Sequence, residues 1–112
     1  MELNVRELDD GIAVIALSGR LDTVWAREQE SSFHAIAESR RAVVVDLSDV
    51  SFLGSLGMKM FVQGAKSVMR RGGKFLLLSP DPKITQVLKV AAIDSLIPIL
   101  NDRTAAIAAA QA

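Results

Sequence analysis

Apolar positions along the chain divide it into short strands alternating with amphipathic helices. Leu3-Asn4-Val5-Arg6-Glu7-Leu8 alternates as a half-buried strand, Asp9-Asp10-Gly11 supplies a turn, and Ile12-Ala13-Val14-Ile15-Ala16-Leu17 is a fuller apolar strand. The N-terminus therefore predicts a hairpin. After Ser18-Gly19-Arg20-Leu21, Asp22 or Thr23 can cap a helix reaching about Ser39. Phe33, Ile36 and Ala37 would face inward, and Arg27, Glu28, Gln29 and Glu30 suit its wet side. Residues 42–47 are apolar enough for a strand buried on both faces. A short polar break follows, then a helix over 56–71 that Gly72-Gly73 ends. Lys74-Phe75-Leu76-Leu77-Leu78 is a further buried strand, which completes a βαβ unit with parallel strands and a right-handed crossover.

Asp81 is placed to cap the next helix with Pro82 at its first position, and Ile84, Val87, Leu88 and Ala91 give it an apolar face. Ile97-Pro98-Ile99-Leu100 reads as a short strand whose proline suits an edge or a strand start. Asn101 or Asp102 can cap a last, alanine-rich helix over 104–110. The order β-β-α-β-α-β-α-β-α predicts an α/β domain over residues 1–112, with a mixed β-sheet and helices mainly on one face.

Composition narrows the function classes. At 112 residues, half of them hydrophobic and only 4% aromatic, one domain with an aliphatic core is expected. Thirteen basic residues balance 13 acidic ones, and the pairs Arg40-Arg41 and Arg70-Arg71 stand apart rather than in a stripe, which argues against a nucleic-acid partner. Without cysteine there is no disulfide, thiolate nucleophile or cysteine-based zinc site. No apolar run approaches the ~20 residues that span a bilayer. The first residues lack the pattern of a secretory signal, so a soluble cytoplasmic protein with no membrane insertion is the expectation.

The segment with most chemical content is Gly54-Ser55-Leu56-Gly57, where a hydroxyl falls at a helix start. Unpaired backbone N–H groups and the positive dipole end there favour an anion such as phosphate. Ser55 is equally suited to a plain N-cap for a helix beginning at Leu56. A hydrolase would need a base for it, yet the one histidine, His34, lies mid-helix as a solvated or packing residue. The segment is not Gly-x-Ser-x-Gly, and no later Asp and His complete a triad. Gly72-Gly73-Lys74 opens a strand rather than a helix, so it is no phosphate-binding loop. No catalytic residue, metal site or cofactor is predicted, and the chain is not expected to be an enzyme.

On the helix after Ser55, Met58, Phe61, Val62, Ala65, Val68 and Met69 form the face expected to lie on the sheet. Leu56 and Met60 fall opposite, with small Gly64 a turn further on, so both are expected to be exposed beside Ser55 as a docking patch. Lys59, Gln63, Lys66 and Arg70 would rim it. The alternative is that scattered exposed apolar residues are ordinary.

Together these elements resemble the STAS family, whose free-standing members are bacterial anti-sigma factor antagonists. The resemblance is carried by Val45-Asp46-Leu47-Ser48-Asp49-Val50-Ser51-Phe52-Leu53, Ser55 and Gly57, Gly72-Gly73-Lys74-Phe75-Leu76-Leu77-Leu78, and Val87-Leu88 with Ile93-Asp94. Leu17-Ser18-Gly19-Arg20-Leu21-Asp22 is similar to the family's Gly-x-Leu-Asp turn. The family's strand-to-helix turn usually reads Asp-Ser-Ser-Gly, and its first serine is phosphorylated by an anti-sigma factor that is itself a kinase. The resemblance implies Ser55 as phosphoacceptor, with Gly54 in place of the aspartate and Leu56 in place of the second serine. It further implies a surface made of Asp22, Gly54, Ser55, Leu56, Gly57, Lys59, Met60 and Gln63 for a partner anti-sigma factor with serine kinase activity, and a phosphatase that resets the switch. Asp22 reads first as a helix cap and second as part of that surface. Two other functions remain open for such a domain: a non-phosphorylated subunit that holds a transporter ATPase, as in lipid transport, or a small-ligand sensor.

Overall fold

In a computed structural model, which describes residues 3–112, five strands and four α-helices follow the predicted order. Strands β1 (Asn4–Leu8) and β2 (Ile12–Leu21) form an antiparallel hairpin. Helix α1 (Thr23–Ser39) crosses to β3 (Ala42–Leu53), α2 (Ser55–Arg70) to β4 (Lys74–Leu78), and α3 (Pro82–Val90) to β5 (Ile99–Leu100). Helix α4 (Arg103–Gln111) closes the described chain. The sheet order is β1-β2-β3-β4-β5, with β2 through β5 parallel.

The period-2 alternation of the central strands splits the core in two. Ile15, Val43, Val45, Leu47, Phe75 and Leu77 pack with Trp25 and Phe33 of α1, Phe61, Ala65 and Val68 of α2, and Ile84 and Leu88 of α3. Ile12, Val14, Ala42, Val44, Leu76 and Leu78 lie on the other face, where Ala106 and Ala110 of α4 cover them. Three helices thus share one face and one small-residue helix takes the other. The edge reading of the last strand also holds: β5 is the terminal strand, and Pro98 immediately precedes it.

Strand β3 is longer than expected. Residues 48–51 are not a break but a continuation of the strand, paired with the end of β2 through Ser18↔Asp49, Gly19↔Val50, Arg20↔Phe52 and Leu21↔Leu53. Backbone pairing rather than side-chain hydropathy carries this extension. Only Val50 and Leu53 turn into the core, and register shifts between Ala16 and Ser18 and between Gly19 and Arg20 re-aim the side chains.

Helix α2 is rotated relative to the expected face. Its buried residues are Gly57, Met60, Phe61, Gly64, Ala65 and Val68, at successive i, i+3 and i+4 positions. Met60 is only 4% exposed, whereas Met69, expected inward, is 43% exposed. Met58 and Val62 are half-buried at the margin of the core. The cause is α1, which lies alongside α2: the Phe33 and Phe61 ring centroids are 5.9 Å apart. A Cβ on Gly64 would sit 3.0 Å from Phe33 Cε2 and 3.1 Å from Phe75 Cε2, so this glycine marks the closest approach. Met60 stands one turn before Gly64, on the side of α2 that approaches α1.

Candidate functional site at the start of the second helix

Helices α1 and α2 begin side by side at the carboxyl ends of β2 and β3. Leu21 and Leu53 are partners in register, and the Gly54 N–H donates to the Leu21 carbonyl at 3.0 Å. Asp22 caps α1, its Oδ1 accepting from the Trp25 N–H at 3.0 Å, as its sequence position suggests. Asp22 and Ser55, 33 positions apart in sequence, are thereby brought to one corner of the sheet.

Ser55 is not the cap of α2. Gly54 is the N-cap and has no side chain to accept from the open N–H groups, while Ser55 is the first helical residue. The side chain of Ser55 is exposed, and its hydroxyl makes no hydrogen bond to another described residue. A hydroxyl with no structural partner at the positive end of a 16-residue helix is accessible, and the helix tolerates negative charge there.

The remaining predicted surface residues divide into two sets. Ser55, Lys59 and Gln63 form an exposed i, i+4, i+8 line along α2. Leu56 is half-buried, lining a small recess with Ala26, Arg27, Glu30 and Lys59 between the two helix starts. Gly57 and Met60 are buried, so neither offers surface, and the expected Leu56–Met60 patch does not exist as such. Gly57 is small for an internal reason: a Cβ there would fall 2.9 Å from Leu53 Cδ1.

Sequence reasoning missed two residues at this corner. Phe52 is 38% exposed, and its ring lies over Gly54, with Cε2 3.3 Å from where a Cβ on Gly54 would be. The Arg20 guanidinium carbon stands 4.3 Å from the Phe52 ring centroid. The Arg20↔Phe52 register, hidden until β3 is known to extend past residue 47, was the signal that joins them. Val24, 64% exposed in the first turn of α1, is a second exposed apolar side chain near the starts of the helices, besides Phe52.

His34 is exposed on α1 and lies 3.0 Å from Glu38, four residues on in the same helix. No helix of the described residues is long and apolar enough to cross a membrane. The molecule is an α/β sandwich with an exposed serine in the first turn of α2, beside the capped start of α1. Its family follows from comparison: the STAS domain model matches residues 4–106, and the chain belongs to that family. BtrV of Bordetella bronchiseptica, provisionally named an anti-sigma factor antagonist, is 27% identical over 110 residues, covering 97% of this chain and 94% of its own. A crystal structure of an anti-sigma factor antagonist from Mycobacterium paratuberculosis matches with a TM-score of 0.87 at 29% identity, covering 98% of this chain and 93% of that one. An anti-sigma factor antagonist (STAS) domain protein from Planctomyces limnophilus matches with a TM-score of 0.89 at 26% identity over the whole of both chains.

Proposed function

We propose that this chain is an anti-sigma factor antagonist. It binds an anti-sigma factor through the adjoining starts of α1 and α2 and is released when Ser55 is phosphorylated. The observation that carries the reading is the exposed hydroxyl of Ser55 in the first turn of α2, which makes no hydrogen bond to another described residue. The names borne by relatives that span nearly the whole chain support it.

The physical logic is asymmetric between fold and interface. A phosphate brings about −1.5 to −2 charges, which the helix dipole accommodates without harm to the domain. A partner packed on an unmodified serine would have to strip water from that phosphate, a cost of several kcal/mol that nothing in an apolar contact returns. The kinase activity belongs to the anti-sigma factor, and a phosphatase restores the binding form. Asp22, Ser55, Leu56, Lys59 and Gln63 form the contact surface, and Gly54, Gly57 and Met60 shape it from beneath.

Incubation with the cognate kinase and ATP, read by intact mass, tests the switch. One phosphate is expected on the wild type and none on Ser55→Ala, and the phosphorylated form should lose capture of the anti-sigma factor. Equal phosphate on both proteins would remove Ser55 from the mechanism.

A further inference from the structure

Phe52 and Arg20 change the electrostatics of the corner that Ser55 occupies. The edge of the Phe52 ring lies over Gly54, with Cε2 3.3 Å from where a Cβ on that glycine would be. Arg20 lies on that ring at 4.3 Å, held through its stacking contact and its strand register rather than by a carboxylate. Ion pairs among the described residues join His34 to Glu38, Arg40 to Glu7 and Arg103 to Asp46, and none engages Arg20. The two contacts put the guanidinium within about one Debye length, ~10 Å at 0.1 M salt, of residue 54, and Ser55 is the next residue.

We propose that Arg20 is the counter-ion of phosphorylated Ser55. The stack on Phe52 holds a permanently charged guanidinium near the start of α2 at low entropic cost, where its field favours a doubly charged phosphate. Gly54 places no acidic side chain beside residue 55, so it adds no repulsion to a phosphate there. Other charged groups near the helix starts are Asp22, whose Oδ1 is committed to the Trp25 N–H, and Arg27, Glu30 and Lys59 around the Leu56 recess. Lys59, one helical turn from Ser55, is the competing cation. This inference rests on the Ser55 switch proposed above and identifies the residue that stabilises its phosphorylated state.

The test installs phosphoserine at position 55 of the full chain by genetically encoded incorporation, so its outcome does not depend on any kinase. The second ionisation of the phosphate is followed by phosphorus NMR in the parent and in Arg20→Gln, Arg20→Lys and Lys59→Gln. A neighbouring cation favours the dianion, so Arg20→Gln should raise that pKa by about half a unit at low salt, and 0.5 M salt should shrink the difference. Arg20→Lys should restore part of the lowering, and Lys59→Gln should act less than Arg20→Gln. Arg20 is exposed, so the substitutions leave the core intact, and amide spectra of β3 and β4 check this. An unchanged phosphate pKa in Arg20→Gln, or a larger shift in Lys59→Gln, overturns the inference. Failure of the kinase to modify Ser55 would instead overturn the switch.

Discussion

A side chain at residue 54 would meet Phe52 Cε2 at 3.3 Å and the Leu21 carbonyl at 3.5 Å, so glycine there lets the Phe52 ring lie close over the turn. The serine that follows keeps its hydroxyl free because the cap position is already taken. Cap chemistry at other helix starts was legible because it is local: Asp81 accepts from the Ile84 N–H at 2.8 Å, and Asp102 from the Ala105 N–H at 3.0 Å. The environment of Met60 was not legible, since it depends on which helix lies beside α2. Met60→Ala distinguishes a surface residue from a core one. At 4% exposure, its truncation is expected to cost about 2–4 kcal/mol in urea unfolding. Met69→Ala, at 43% exposure, should cost well under half of that. Equal, small losses would return Met60 to the surface.

At the scale of elements, β3 and α2 show where periodicity succeeds and where it fails. The apolar half of β3 was plain in Val43, Val44 and Val45, but its polar half is a strand only because β2 runs on beside it as far as Leu21. In α2 a 3.6-residue period was read correctly: Phe61, Ala65 and Val68 are buried as expected, but the buried face is rotated to take in Met60 and leave out Met69. The true face includes Gly57 and Gly64, which contribute nothing to hydropathy yet permit the packing. Gly64 sits against Phe33, Phe75 and Ala37, so a methyl there must push two aromatic rings apart. Gly64→Ala is therefore expected to destabilise by about 1–3 kcal/mol, although alanine is the better helix former by ~1 kcal/mol. The same substitution should perturb the ring resonances of Phe33 and Phe75. Stabilisation by Gly64→Ala would mean that α1 and α2 lie further apart than described.

Across the whole molecule the two sheet faces are held differently. Three helices bury the aromatic face, while α4 covers the other with alanines alone and relies on polar ties at both ends. Arg103 pairs with Asp46 at 2.8 Å near its start, and Arg41 donates to the Ala110 carbonyl at 3.4 Å near its end. Asp46 is 8% exposed, and its second oxygen accepts the Ser48 N–H at 3.0 Å, so the same carboxylate also shapes the middle of β3. Arg103→Ala leaves that carboxylate without its cation. Buried pairs broken in this way cost about 3–5 kcal/mol, but the Arg103 side chain is 47% exposed and water screens the loss, so about 1–2 kcal/mol is expected. Hydrogen exchange should locate it: α4 amides lose protection while those of α2 keep theirs. The exposed Arg40–Glu7 pair, 2.6 Å long, supplies a contrast in pH dependence. Its hydrogen bond to Arg40 holds the Glu7 carboxyl below the ordinary value of 4.5, so its contribution is present above that value and fades as pH falls through the lower folded one. Unfolding measured from pH 7 down to pH 3 should therefore show Glu7→Gln losing part of its difference from wild type at the acid end. At pH 7 Arg103→Ala should be the less stable of the two variants. Equal stability there, with α4 still protected, would show that the alanine face alone holds the helix down.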